Sequence, residues 1–364
     1  MKKIGCITFH SSHNYGSCLQ AYALQEFIKE NYADYEYDII NFRSPIQKKI
    51  YNKPGKGNSI LRNIAELFYF SSLSKKYKKF ESFIQEKLNI SEEFENEFEF
   101  ENCYDVLLAG GDQIWNPRCT DFSWLYYFSG IKANCKISYA PSMGPHGGFL
   151  TSEEKVKIKE ALSDFSLIGV RENGTKETIC DILESSKEIS VLPDPVLLLS
   201  SRKWELLFND VKIDLKKPYI FFYTLNASYE TYKAVKKIGQ LLKMPVIVTK
   251  PTRKNDFFYF FSNYFSVGPI EFLKLIKDAS FVVTTSFHAC VFSAIFKKKF
   301  FAIDVHNDNR IRGFFEEYGL ENCFLSSNDI SLEAINTSSI DYRFFEKKID
   351  EDKNNVIKFF NHVL

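Results

Sequence analysis

The stretch from Phe281 to Ile295 constrains the fold most, because it joins a buried strand directly to a helix. An apolar run predicts the strand, the three hydroxyl residues Thr284 to Ser286 predict a turn and helix N-cap, and an amphipathic helix follows. A helix N-terminus offers unpaired N–H groups and the positive end of a dipole, so this junction suits an anion. His288 lies in the first turn, where its ring can face a ligand. The alternative is a helix cap followed by a half-buried structural histidine.

The same alternation of strands and helices recurs along the 364 residues and predicts an α/β chain with two Rossmann-like domains. Residues 1–200 form the first predicted domain and residues 217–338 the second. The last segment, 339–364, is predicted to be a helix that is able to return to the first domain. Two such domains suggest a GT-B-like arrangement with an interdomain cleft, where ligands commonly bind.

Composition excludes several classes of function. The 47 basic and 46 acidic residues give a net charge of +1, which argues against a nucleic acid partner. No run approaches the roughly 18 apolar residues of a membrane span, and we expect a cytoplasmic chain. A basic segment at 47–56 leaves peripheral contact with the inner face of the membrane open, although a solvated loop is the simpler interpretation. The eight cysteines contain no C-x-x-C pair, so we expect no metal site.

The loop after the first predicted strand is a candidate binding segment. It contains Asn14, Tyr15 and Gly16 and runs into a helix, at the edge of the sheet where ligands of doubly wound folds bind. It carries one glycine, not the three of a dinucleotide fingerprint, so it does not indicate NAD. The alternative is a polar turn that only caps the helix.

A second candidate segment follows the strand that ends at Ala109. Its glycines, including Gly111, allow close approach of a ligand to the backbone. Asp112, Gln113 and Trp115 then bring a carboxylate, an amide and an indole together, which is typical of a sugar or base site. The alternative is a capped turn with a core tryptophan.

Three arginines lie where they are able to bind an anion. Arg171 ends a predicted strand and is a good phosphate or carboxylate ligand, unless it pairs with Glu172 or another neighbour. Arg310 and Arg312 follow Asn309 close to a helix N-terminus, where the dipole disfavours a cation. We therefore interpret them as ligand-binding residues.

The chain resembles the polysaccharide pyruvyl transferase family in motifs that occur in family order over nearly its whole length. They are N-Y-G-S-x-L-Q-A-Y-A-L-Q at 14–25, G-G-D-Q-I-W-N at 110–116, I-S-Y-A-P-S-M-G at 137–144, G-V-R-E at 169–172, D-P-V-L-L-L at 194–199 and T-S-F-H-A at 285–289. The resemblance implies transfer of pyruvate from phosphoenolpyruvate, as donor substrate without a cofactor, onto a sugar of a cell-surface glycan or its lipid-linked precursor. It implies His288 as the acid or base and Arg171 as the anion ligand, with Thr285 and Ser286 beside the donor.

The chain departs from the family at one position. Members with established chemistry tend to have Arg-Leu-His where this chain has Ser286-Phe287-His288. Asn309-Arg310 matches a pattern that recurs in the Ser-Phe-His branch of the family, which implies Asn309 as a donor-binding residue, so Arg310 or Arg312 can compensate, or the donor differs. Two further hypotheses therefore stay open: a GT-B glycosyltransferase with an activated sugar donor, and a non-catalytic member of a glycan-assembly complex. The acceptor sugar, its linkage and the oligomeric state do not follow from the sequence.

Overall fold

The computed structural model of the chain describes residues 1–44, 46–48, 60–94, 99–100, 102–144, 149–184, 186–215, 217–249, 261–337 and 340–364. The predicted basic segment at 47–56 therefore lies almost wholly outside the described residues. Contacts divide the described residues into two compact units. The first unit draws on Met1–Lys53, Ile84–Leu199 and Ile349–Leu364, and the second on Pro54–Phe83 and Ser200–Lys348.

The first unit is built on a seven-stranded sheet with every described strand pair parallel. Its strand order is β3-β2-β1-β4-β5-β6-β7. The strands are β1 (Lys2–Ile7), β2 (Tyr35–Asn41), β3 (Ile90–Glu93), β4 (Val106–Ala109), β5 (Lys136–Ser138), β6 (Leu167–Val170) and β7 (Ile189–Val191). The helices are α1 (Tyr15–Asn31), α3 (Ser152–Leu162) and α4 (Asn173–Leu183), while α2 (Ile60–Lys87) belongs to the second unit up to Phe83 and to the first unit from Ile84.

The second unit is built on a six-stranded parallel sheet with the order β10-β9-β8-β11-β12-β13. Its strands are β8 (Ile220–Tyr223), β9 (Val246–Val248), β10 (Phe261–Asn263), β11 (Phe281–Thr284), β12 (Phe300–Ile303) and β13 (Phe324–Leu325). Its helices are α5 (Ser201–Leu206), α6 (Tyr229–Leu242), α7 (Pro269–Asp278), α8 (Phe287–Ile295), α9 (Asn309–Tyr318) and α10 (Leu332–Thr337). The central strands β8, β11 and β12 are buried at every residue, and so is β4 of the first unit. Their nearly continuous apolar runs follow from helices covering both faces of a parallel sheet.

The last helix, α11 (Tyr342–Phe360), contributes its residues from Ile349 onward to the first unit. There the ring of Phe360 stacks on Tyr139 with centroids 5.3 Å apart. The hydroxyl of Tyr32 also donates to the carbonyl of Ile357 at 3.2 Å. Among the described residues, no helix is both long enough and apolar enough to span a membrane.

Candidate functional site

Each sheet has one place where the chain reverses the direction in which it adds strands. In the first unit the chain moves from β1 outward to β2 and β3, and then returns to the other side of β1 with β4. In the second unit the same reversal separates β8 from β11. At such a switch point the loops after two neighbouring strands leave in opposite directions and open a crevice at the carboxyl ends of the strands. The two switch points are therefore the positions at which a ligand is expected.

The switch point of the first unit contains a pocket of ≈ 280 Å³. Three residues predicted to bind substrate, Asn14, Asp112 and Gln113, line this pocket. Its other lining residues are Phe9, Ser12, Ser17, Cys119, Thr120 and Asp121. A larger pocket of ≈ 480 Å³ lies beside Lys3 and Asp105, at the amino ends of β1 and β4, and no predicted site residue lines it. We take the smaller pocket as the site, because it combines the switch point with the predicted residues.

Asp112 is the most constrained residue of this pocket. Its backbone has a φ of 71°, a left-handed conformation that is uncommon for a residue with a side chain. One carboxylate oxygen accepts from the Ser17 hydroxyl at 2.5 Å, and the other accepts from the Gln113 backbone N–H at 2.8 Å. A carboxylate offers about four lone-pair positions, so acceptor capacity remains for a ligand hydroxyl.

The two glycines before Asp112 are required by close packing. A Cβ on Gly110 would lie 2.7 Å from the Cys6 sulfur. A Cβ on Gly111 would lie 2.6 Å from Oε1 of Gln20 and 2.9 Å from Cγ of Pro195. Gly111 thus lets the helix after β1 and the Pro195 turn approach the backbone that presents Asp112.

Arg171 is held by carboxylates. Its guanidinium donates to Asp194 at 3.0 Å and to Glu172 at 3.3 Å, and its side chain is only 3% exposed. Burial lowers the pKa of this guanidinium, but the carboxylates of Glu172, Asp194 and Asp112 outweigh burial and raise the pKa above its ordinary value. The sequence left open whether Arg171 binds an anionic ligand or pairs with a neighbour, and the structure places it in the ion pair.

Three other residues predicted to bind substrate lie away from the pocket lining. Trp115 is fully buried, donates from Nε1 to the Tyr126 carbonyl at 2.9 Å and stacks on Tyr127 with centroids 4.9 Å apart. Its ring therefore has no face for a sugar, which corrects the predicted stacking role. Tyr15 is 2% exposed, and the N–H of Gly16 donates to the Asn14 side chain at 3.0 Å, which caps α1.

The switch point of the second unit brings together hydroxyl groups from the ends of β8 and β11. The Thr284 hydroxyl donates to the Tyr223 carbonyl at 2.7 Å and accepts from the Ser286 N–H at 3.0 Å. The hydroxyls of Thr285 and Thr224 are 2.7 Å apart. Ser286 is the N-cap residue of α8, is 6% exposed and makes no capping hydrogen bond through its side chain. The first turn of α8 therefore receives no side-chain cap from Ser286.

His288 is the second residue of α8, as the sequence predicted. It is half-buried, and its ring lies edge-on to Phe287 with centroids 5.3 Å apart. Thr285, Ser286 and His288 thus lie within one turn of chain at the switch point of this unit.

The arginines after β12 have carboxylate partners. Arg310 donates through Nε and a terminal nitrogen to Asp308, the N-cap residue of α9, at 3.0 and 2.6 Å. Arg312 is exposed, donates to the side chain of Asn309 at 2.9 Å and lies 3.9 Å from Glu316. The unfavourable position of Arg310 at a helix N-terminus is therefore explained by its own cap, which weakens the prediction that these residues bind the donor.

Sequence reasoning missed Ser12, Ser17 and Asp121 in the first unit and Thr224 in the second. Ser12 and Ser17 belong to the predicted polar loop and helix start, so the loop signal covers them. Thr224 directly follows the apolar strand β8, and Asp112 follows the apolar strand β4 after two glycines. A search for polar residues after every predicted strand would have found it.

A family model described as polysaccharide pyruvyl transferase matches residues 14–307. A comparison with curated proteins finds no match to the chain. Among solved structures, the chain is similar to the UDP-GlcNAc 2-epimerase from Methanocaldococcus jannaschii, with 13% identity, a TM-score of 0.51 and 100% coverage of both chains. It is also similar to the UDP-N-acetylglucosamine 2-epimerase from Rickettsia bellii, with 9% identity, a TM-score of 0.51, and 100% and 99% coverage. These likenesses confirm the predicted two-domain GT-B-like α/β fold and show the fold alone.

Proposed function

The chain belongs to the polysaccharide pyruvyl transferase family and is therefore a transferase, and on that premise we propose that it moves pyruvate from phosphoenolpyruvate onto a glycan sugar as a ketal. The observation that carries the proposal is the position of the motifs. The segments around Asp112 and His288, far apart in sequence, each lie at the switch point of their own sheet.

We assign the donor to the switch point of the second unit. Phosphoenolpyruvate carries a carboxylate and a phosphate, and the first turn of α8 offers N–H groups together with the hydroxyls of Thr285 and Ser286. Helix N-termini bind such anions through these N–H groups and the helix dipole. This assignment needs no arginine at position 286, where the chain departs from the family pattern.

We assign the acceptor to the pocket of the first unit, because its charge disfavours the donor. The described residues that line this pocket include the carboxylates of Asp112 and Asp121 and contain no lysine or arginine. A dianionic donor would be repelled there, whereas an uncharged sugar would find carboxylate, amide and hydroxyl partners. The hydroxyls of the sugar would donate to the remaining lone pairs of Asp112.

The chemistry needs one acid and one base. One sugar hydroxyl adds to C2 of the donor while C3 takes up a proton and becomes a methyl group. A second hydroxyl then displaces phosphate from C2 and closes the ketal, and its proton leaves with the phosphate. His288 is the proposed proton donor to C3, since imidazole exchanges protons near neutral pH. Asp112 is the proposed acceptor for the proton of the attacking hydroxyl.

The test combines binding and product formation. Wild type, His288→Asn and the control His306→Asn, which changes an exposed histidine of the same unit, are titrated with phosphoenolpyruvate and, separately, with UDP. The three proteins are then incubated with ¹³C-methylene phosphoenolpyruvate and lipid-linked glycan precursors from the producing cells, and the ketal methyl group is followed by NMR. We expect all three to bind phosphoenolpyruvate within about threefold of one another, because His288 acts in the reaction step and adds little to ground-state binding. Only His288→Asn should form no ketal.

Other outcomes decide between the hypotheses. Binding of UDP without binding of phosphoenolpyruvate would favour a glycosyltransferase with an activated sugar donor. If cells carrying His288→Asn keep the glycan product that cells without the protein lose, the chain is a non-catalytic member of the assembly machinery. Unchanged ketal formation by purified His288→Asn would remove the acid role from this residue.

A further inference from the structure

The end of β8 contributes a residue to the donor site that no motif includes. Thr224 directly follows β8, and its hydroxyl lies 2.7 Å from that of Thr285, which follows β11 across the switch point. The backbones of the two strand ends are also joined, since the N–H of Thr285 donates to the Tyr223 carbonyl at 3.2 Å. The hydroxyl pair therefore has a fixed geometry before any ligand binds.

The burial of the two threonines differs in a way that suggests their roles. Thr285 is half-buried, whereas Thr224 is only 6% exposed. Thr285 is thus able to meet a ligand at the first turn of α8, and Thr224 lies behind it. A second observation concerns the same turn: Ser286 is more than nine-tenths buried at the N-cap, yet its side chain makes no capping hydrogen bond, so its hydroxyl is not used to cap α8.

We propose that Thr224 is a positioning residue, which donates to the Thr285 hydroxyl and so directs the hydrogen of Thr285 toward a phosphate or carboxylate bound at the N-terminus of α8. The inference rests on the proposed function, because it takes the anion to be part of the donor. In a pair of hydroxyls, one hydrogen is used within the pair and the other serves a further partner. When that partner is an anion, the two hydrogen bonds are aligned and strengthen each other.

The arrangement also accounts for Ser286 in place of the family arginine. An arginine supplies charge and a fixed fork of donors. A cradle of hydroxyls and backbone N–H groups supplies only dipoles, so each hydroxyl must be oriented in advance. Thr224 provides that orientation for Thr285 without contacting the ligand.

The test compares three variants by calorimetric titration with phosphoenolpyruvate and, separately, with inorganic phosphate. Thr224→Val removes the hydroxyl at nearly constant volume, and Thr224→Ser retains it. The control is Thr249→Val, because Thr249 is 3% exposed and lines the same small cavity as Thr224 but is not part of the Thr224–Thr285 pair. Melting temperatures of all proteins are measured in parallel.

We expect Thr224→Val to raise the dissociation constants of both ligands by about 3- to 10-fold, the range of one net hydrogen bond, with little change in melting temperature. Thr224→Ser should restore binding to within about twofold, and Thr249→Val should bind like wild type. Equal affinities of wild type and Thr224→Val, or equal weakening by Thr249→Val, would overturn the inference.

The two ligands separate this inference from the proposed function. If wild type binds phosphate but not phosphoenolpyruvate, the donor assignment fails while the phosphate titrations still decide the role of Thr224. If wild type binds neither ligand, there is no anion site at α8 and the inference fails as well.

Discussion

Replacing Arg171 distinguishes a structural ion pair from a donor ligand. The resemblance to the family implied that this arginine binds the anion of the donor, whereas the structure shows it bound to Asp194 and Glu172. Both interpretations predict that Arg171→Ala loses activity. They differ in stability, because only a structural arginine leaves buried carboxylates without their cation when it is removed.

The expected loss of stability is large. The side chains of Arg171 and Asp194 are 3% and 0% exposed, so the Asp194 charge cannot be solvated in place. Removing one partner of such a buried pair costs about 3–5 kcal/mol. With a urea m-value of about 2 kcal/mol/M, the midpoint of unfolding should fall by about 1.5–2.5 M. The control Arg118→Ala breaks the pair with Glu154, but Arg118 is 52% exposed, and we expect a loss of only about 0–1 kcal/mol.

The assay is urea unfolding followed by tryptophan fluorescence, since Trp115 and Trp124 both belong to the first unit. The double variant Arg171→Met with Asp194→Asn should recover much of the loss, because it removes the buried charge as well as its partner. If Arg171→Ala unfolds at the wild-type midpoint but no longer binds phosphoenolpyruvate, our structural assignment is refuted and the predicted donor role is restored.

Three further predictions concern stability. Trp115→Phe leaves the Tyr126 carbonyl without its buried donor and should lower the free energy of unfolding in urea by about 1–3 kcal/mol. Weaker ligand binding at unchanged stability would contradict the position of Trp115 in the core. Burial lowers the pKa of His10 from 6.5 to about 4, so the unfolded chain takes up a proton at a higher pH than the folded chain does. The free energy of unfolding should therefore fall by up to about 3 kcal/mol as the pH is lowered from 6.5 to 4. His10→Asn should flatten this pH dependence, as measured by the midpoints of urea unfolding. Thr151→Ala removes the capping box with Glu154 and should destabilise the start of α3 by about 1 kcal/mol. We expect faster hydrogen exchange in the first turn of α3, whereas unchanged exchange would show that the capping box is not formed.

The sequence predicts the fold well because its strongest signals are local. The apolar runs of β4, β8, β11 and β12 mark buried parallel strands, and polar turns mark the helix starts that follow them. The alternation of the two predicts parallel sheets without any knowledge of long-range contacts. Strand order does not follow from such signals, so the position of both candidate segments at switch points could not be predicted.

Whether a predicted site residue lies at the pocket depends on how far its partners lie along the chain. Asp112 and Gln113 line the pocket because the strand end itself presents them, which the sequence shows directly. Trp115 is only a few residues further on, but its position in the core depends on Tyr126 and Tyr127, which form a separate turn of 3-10 helix. A polar and aromatic cluster in sequence cannot reveal which of its side chains faces inward.

The arginines show why charge at the end of a strand is ambiguous until its partners are known. An arginine there is able to neutralise a ligand or to neutralise carboxylates of the protein, and the residue type is the same in both cases. For Arg171 the deciding partner, Asp194, lies 23 residues away. For Arg310 the partner is Asp308, two residues earlier, and the helix cap it forms is a local signal that sequence reasoning is able to use. Since both of these arginines are held by carboxylates, our proposal assigns the anion to the dipoles at α8, and the orientation of hydroxyls such as Thr285 then contributes to its affinity.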